Sequence, residues 1–421
     1  MIGCAVVENK TVGAARDQWE KEMSRGYRRA GDKSVCAACF GDYAIKRFVH
    51  ENAVSSRCDY CGRTFEKPAA AEIGRVIGFI VEGIEEEWAD PLDDGVSWES
   101  LEGGWQSRVY DTAELFNDLQ YDLGIRTDGL LEEIIEAFDD KQWCQKDHLR
   151  MPPGEAIIYA WNRFSHAVKH ETRYMFFKPT ERENLGHPDD IPPVAMLETL
   201  GGSILDAGLL KDLCVGTRFF RARVHKKGES CETGRELGSP LPEQAKYSNR
   251  MSPAGIPFFY GAGDRKTAII ETYDTRKHSG KIVTVGTFVT AKQLSVLDLS
   301  QIPHMPSLFD PHKRHLRGVH RFLANFVKDL SKPIKRDGRE HIEYIPTQIV
   351  TEYFRHRFRD AQGRPVHGIL YHSCRRGATQ CCVLFCSQDN CVERPIESWK
   401  EADQWLQLDT KTIEHLDPKE P

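Results

Sequence analysis

Four cysteines carry the clearest chemistry in this 421-residue chain. Cys36, Cys39, Cys58 and Cys61 read C-x2-C-x18-C-x2-C. Each C-x2-C turn turns two thiolates toward one ion, and the intervening residues let the second pair close a tetrahedron. Four sulfurs leave no open coordination position, so a structural zinc is expected rather than a catalytic one. Two redox turns would have no need of a matching second pair. The segment holds few arginines and lysines, which favours a scaffold over a nucleic-acid-binding ribbon. Cys381, Cys382, Cys386 and Cys391 are different. The first three lie in an apolar strand-like run, where cysteine packs as a small hydrophobe. His312 and His315 share a helix face with no partner spaced to complete a metal site.

A second set of residues sits in "NRMSPAGIPFFYGAGDRKTAIIETY", residues 249–273. Ile256–Tyr260 reads as a short strand, Gly261 and Gly263 as a turn, and Asp264 as the cap of a helix starting at Arg265. On that helix Ala268, Ile269 and Thr272 form the apolar stripe. Glu271 lies about 60° from Ala268 around the axis, so it flanks the stripe half-buried. Two readings stay open for Glu271: a surface ion pair, or a carboxylate beside Tyr260 in a cleft. Arg221 in "FFRARV" is likewise either a strand-rim residue or a group shaped to grip phosphate.

The elements that must hold these residues divide the chain in two. Four apolar stripes at helical spacing run from Ile73 to Trp88, Val109 to Leu123, Leu131 to Phe138 (with Asp128 as N-cap) and Ala156 to Val168. They predict an all-α bundle over about 70–185. The prolines of "GHPDDIPP", 186–193, mark a linker. Beyond a helical stretch at 194–213, short β-branched and aromatic runs alternate with helical segments at 264–275, 312–330 and 342–357, the pattern of an α+β domain over 194–400. Residues 1–35 and 401–421 read as a polar lead and a polar tail. No apolar run reaches 18 residues, so no membrane span is expected. "MIGCAVVENK" lacks a basic stretch before a long apolar run, so no signal peptide is expected. With 13 cysteines in a large chain of net charge −6, reduced thiols, a cytoplasmic location and a partner other than nucleic acid are expected.

"FFRARV", "YSNRMSPAGIPFFYGAGDRKTAIIETY", "VGTFVTAKQLSVLDL" and "GILYHSCRRGATQCCVLF", in that order over about 215–390, resemble the RES family, whose members include toxins that destroy NAD. The cysteine pairs and helices before them resemble the HEPN-like region that accompanies some RES domains. The resemblance implies a fold similar to ADP-ribosyltransferases. It implies Arg221 and Arg250 at the NAD pyrophosphate, Tyr260 at the nicotinamide-ribose end, Glu271 as the catalytic glutamate and Ser373 completing the pocket. Where family members commonly carry Gly-Arg-Phe/Trp-Asn, this chain has Asn249-Arg250-Met251-Ser252. The implied reaction breaks the nicotinamide–ribose bond through an oxocarbenium-like state that a carboxylate stabilises. No Rossmann G-x-G-x-x-G is present, in keeping with NAD as a substrate rather than a hydride carrier. ADP-ribosyl transfer to a macromolecule is the alternative in the same pocket. A HEPN-type ribonuclease or RNA-binding module, with Arg163 and His170 at R-x6-H spacing, is the alternative in the helical half, although Phe164 follows the arginine where a polar residue is usual. An inhibitory antitoxin, a regulatory role for the N-terminal half and oligomerisation are left open.

Overall fold

The isoleucine and valine stripe beginning at Ile73 forms the longest helix of the first of two units in the computed structural model. That unit comprises Met1–Pro152 with Met305–Arg317, and the second Pro153–His304 with Gly318–Pro421. The residues described are 27, 31–101, 103–138, 141–152, 154–176, 189–275, 277–332, 340–377, 379–393 and 404–417. Most of the expected polar lead, residues 186–188 of the expected linker and the tail beyond 417 lie outside them.

In the first unit β1 (Ser34–Cys36) pairs antiparallel with β2 (Ala70–Glu72), which brings the two ends of the cysteine segment together. Between them lies α1 (Tyr43–Glu51), whose N-terminus is capped by Asp42 accepting from the amides of Ala44 and Ile45. An acceptor there satisfies N–H groups that have no intrahelical partner. Helix α2 (Ile73–Glu87) buries Ile73, Val76, Ile77, Ile80, Val81 and Ile84 on one side. Gly83 allows Phe309 to pack flat on that helix, since a Cβ there would meet the Phe309 ring at 2.5 Å.

The rest of the unit departs from the expected all-α bundle. After α2 come β3 (Trp88–Ala89), β4 (Trp98–Glu99), β5 (Gly104–Trp105), β6 (Val109–Asp111), α3 (Thr112–Leu123), α4 (Leu130–Ala137) and β7 (Gln142–Gln145). β3, β7 and β6 form a three-stranded sheet, and β4 pairs with β5. Strands of two to four residues leave no alternation to read, and the helical period of their neighbours hid them. Val109 therefore belongs to β6, and α4 starts after Gly129 at φ 76° rather than on a side-chain cap from Asp128.

The second unit runs α5 (Glu155–His170), α6 (Pro193–Asp206), β8 (Leu210–Leu213), β9 (Arg218–His225), α7 (Gly234–Leu237), β10 (Phe259–Ala262), α8 (Arg265–Thr272), β11 (Ile282–Thr290) and β12 (Leu294–Asp298). It continues with α9 (Arg317–Ser331), α10 (Glu340–Glu343), α11 (Ile345–His356), β13 (Gly368–His372), β14 (Gln380–Leu384), β15 (Cys391–Val392) and β16 (Leu406–Leu416). Among the described residues its strands form a nine-stranded sheet in the order β15-β16-β11-β9-β10-β14-β13-β12-β8. β12–β13 and β15–β16 are parallel, and the other neighbours antiparallel.

Because successive side chains on a strand point to opposite faces, each strand feeds two cores. Leu297, Ile369, Val383 and Phe258 pack with the aromatic faces of α5, α9 and α11. Val296, Leu370, Cys382 and Phe259 pack into a second cluster with Leu237, Phe288 and Leu408. The fourth apolar stripe, expected in the bundle, packs in this unit: Trp161 and Phe164 of α5 join Leu200, Phe322 and Phe326, and the Trp161 indole donates to Asp329 Oδ2 at 3.1 Å. The stretch expected as helix 194–213 ends at Asp206 and turns into β8.

The polar tail is also an element. In β16 Leu406 and Leu408 are buried while Gln407 and Asp409 alternate with them, and the strand pairs antiparallel with β11. Its charged outer positions made it look solvated from end to end. Leu408→Ala is expected to cost about 2–4 kcal/mol in denaturant unfolding. A residue in a free tail would change stability by less than about 0.5 kcal/mol.

Candidate active site and metal centre

The β1–β2 pairing sets the cysteines. Cys36 ends β1, Cys39 closes a single 3-10 turn, and Cys58 and Cys61 sit on the returning loop, where Gly62 adopts φ 71°. The Cys36–Cys61, Cys39–Cys58 and Cys36–Cys39 sulfurs lie 3.6, 3.7 and 3.9 Å apart. Four thiolates about 2.3 Å from one tetrahedral ion have S···S edges of about 3.8 Å, whereas a disulfide would bring two sulfurs to about 2.05 Å. The cluster therefore has the dimensions of a metal site. Burial raises the Cys36 and Cys39 thiols. Burial also opposes ionisation at Cys58, but the amides of Cys61, Cys36 and Tyr60 outweigh it and bring that thiol to about 7. The Cys36 N–H donates to Cys58 Sγ at 3.3 Å.

In the second unit Glu271, Tyr260, Arg221 and Arg250 line one cavity of about 1120 Å³. Strand alternation brings Tyr260, Tyr371 and Ser373 to one side of β10 and β13. Helix α8, capped as expected by Asp264 accepting from the Thr267 amide at 2.8 Å, carries Glu271 to the same place. The Ser373 hydroxyl donates to Glu271 Oε1. Its oxygen accepts from the amides of Arg376 at 2.9 Å and Arg375 at 3.2 Å. Ser373 is 3% exposed, so with its donor and both acceptor positions engaged it holds the carboxylate in one orientation. Of the two readings of Glu271, the structure gives the cleft.

The tyrosines supply the walls. Tyr260 Oη is 2.9 Å from Ser252 Oγ, and burial pushes its phenol up to about 12, so it stays neutral at physiological pH. Tyr371, which the sequence reading missed, has its phenol raised by burial, with Cys381 next in effect. Its hydroxyl makes no hydrogen bond to a described residue. It stands two positions before Ser373, and the period-2 rule alone would have placed it on the same face.

The two arginines line the cavity but direct their donors at backbone. β9 and β10 share a single bridge, Ala262 with Phe220, and Arg221 fills the split beyond it. Its Nε donates to the carbonyls of Leu237 at 2.8 Å and Gly238 at 3.0 Å, and its Nη1 to that of Tyr260 at 2.5 Å. Burial lowers its pKa to about 10, leaving it charged at neutral pH. Arg250 donates from Nη1 to the Leu330 carbonyl and from Nη2 to that of Lys332 at 2.7 Å, at the C-terminal end of α9. Carbonyls at a helix C-terminus favour a cation. The Arg250 loop is pinned by α11, where the Gln348 amide donates to Asn249 O at 2.8 Å and Thr347 Oγ1 to Arg250 O.

With this geometry in view, comparison with known families gives two matches: a HEPN/RES N-terminal domain 1 over residues 51–182 and a RES domain over residues 218–409. The chain is a RES-domain protein with a HEPN/RES N-terminal domain. No curated protein and no solved structure matches it. The RES match contains all five site residues expected from the sequence and ends inside β16. The HEPN/RES match begins between the cysteine pairs, after Cys39 and before Cys58. Of the alternative pair in the helical half, Arg163 is engaged by Asp190 Oδ1 at 3.1 Å, and His170 is exposed with its ring 5.1 Å from that of His166.

Metal analysis of the purified RES-domain protein is expected to give about one ion per chain. Chelation should release four additional reactive thiols and lower the melting temperature. A metal-free protein whose thiols react at once would contradict the cluster's reading as a metal site.

Proposed function

We propose that the RES-domain protein cleaves the nicotinamide–ribose bond of NAD, passing ADP-ribose to water or phosphate. The observation that carries this reading is the Ser373–Glu271 hydrogen bond at the wall of a cavity with six cationic side chains against two carboxylates. In the reaction the C1′–N bond breaks and nicotinamide leaves with the bonding pair as a neutral molecule. Positive charge then spreads over the ribose, and the Glu271 carboxylate stabilises it. Water or phosphate adds at C1′ and its proton is released. Nicotinamide is a good leaving group, so no strong general acid is required. The neutral phenol of Tyr260 and the ring of Tyr371 bound the space beside the reacting sugar, where a held near-attack geometry lowers the barrier.

The same reading makes the sheet and its cleft similar to those of ADP-ribosyltransferases, and the ion in the cysteine cluster a structural zinc, the metal best matched to four thiolates. An enzyme that consumes NAD harms the cell that holds it, which supports a toxin or defence role under an inhibitory or regulatory partner.

Incubating the protein with NAD, with and without phosphate, is expected to release nicotinamide with ADP-ribose or its 1″-phosphate as co-product. Label transferred to a protein or RNA would assign the pocket to ADP-ribosyl transfer instead. No nicotinamide under any condition would refute the reading.

A further inference from the structure

The cavity contains more positive charge than its arginines explain. Arg221 and Arg250 are tied to five backbone carbonyls, and Arg375 donates from Nη1 to those of Ile270 and Tyr273 at the end of α8. These guanidiniums brace the walls: Arg221 joins β9 to β10 and the α7 turn, Arg250 joins its loop to α9, and Arg375 joins the Ser373 turn to α8. A planar fork already engaged in this way has fewer N–H groups to turn toward an incoming anion.

The remaining three cations are lysines. Lys246 lies four residues before Arg250, and Lys277 and Lys281 lie on the turn that leads from α8 into β11. All three line the cavity. Among the described residues none forms an ion pair within 4 Å, and none of their ammonium groups makes a hydrogen bond. Lys246 and Lys277 are exposed and Lys281 is half-buried. They come from two loops that line the same cavity as Glu271. A flexible ammonium is a compact charge with three donors, suited to the unesterified oxygens of a diphosphate.

We propose that Lys246, Lys277 and Lys281 hold the diphosphate of the dinucleotide, and that Arg221 and Arg250 are positioning residues that fix the cavity's shape. This rests on the NAD reading and deepens it by assigning the anion contacts to side chains with free donors. Attraction between these ammonium groups and a doubly negative diphosphate is screened by salt, so ligand binding should weaken as ionic strength rises.

The test uses the full chain with Lys246, Lys277 and Lys281 each changed to Gln, and ADP-ribose as the probe in calorimetric titration. The triple variant is expected to bind ADP-ribose at least about tenfold more weakly, since charged hydrogen bonds are lost. It should also lose most of the wild-type dependence on salt, and its KM for NAD should rise while kcat changes little. An unchanged ADP-ribose affinity in the triple variant, or no binding by the wild type, would overturn the proposal. If the wild type binds ADP-ribose through these lysines but releases no nicotinamide from NAD, the lysine assignment stands and the cleavage reading fails. If NAD is cleaved and the triple variant keeps the wild-type KM, cleavage stands and the lysine assignment fails.

Discussion

A guanidinium removed from water must have its N–H groups answered, and in this protein backbone carbonyls answer them. Arg221 meets three carbonyls from two segments, and Arg250 meets two at the end of a helix. Each such bond involves a charged donor and is of the stronger kind, about 1.5–3 kcal/mol. The carbonyl of Tyr260 would otherwise face a split in the sheet, because β9 and β10 share one bridge. The split opens the cavity, and Arg221 keeps the opening from being an unsatisfied defect. Stability and the site's shape thus depend on the same side chain.

On that frame Glu271 is positioned by ordinary sheet geometry. The two-residue period of β10 and β13 turns Tyr260, Tyr371 and Ser373 to one side, and the Asp264 cap starts α8 at the point that brings Glu271 opposite Ser373. A carboxylate without the Ser373 hydroxyl could rotate freely and stabilise developing charge only part of the time. With the hydroxyl donating and its oxygen occupied by two amides, one carboxylate orientation is held in advance of substrate. Preorganised groups of this kind act without reorganising during the reaction.

Much of this was legible in the sequence, for reasons that differ by element. The C-x2-C pairs carry their geometry in their spacing, and the sulfur separations agree with it. The Asp264 cap and α8 follow from local rules that the tertiary structure does not override, whereas the strand expected at Ile256–Tyr260 is Phe259–Ala262, with Gly261 inside it rather than in the turn. Glu271 and Ser373, 102 residues apart, came together only through the family resemblance, since no local pattern reports a contact across a sheet. The small strands around Trp88, Val109 and Trp143 were too short to show alternation. The charged face of β16 concealed Leu406 and Leu408. The fourth apolar stripe was correctly a helix, but its period says nothing about which core receives it. The arginines were expected at the pyrophosphate through the family resemblance, and the carbonyls they meet come from segments that sequence spacing cannot bring together.

The central claim is that Glu271 is the group that makes the cavity an active site. The measurement that bears on it most directly is the rate of nicotinamide release from NAD by the wild type and by Glu271→Gln, with ADP-ribose affinity measured on both. The amide is nearly isosteric and keeps a carbonyl oxygen for Ser373, so the account predicts similar ADP-ribose binding and a rate lower by about a hundredfold or more. A variant that releases nicotinamide at the wild-type rate would contradict it.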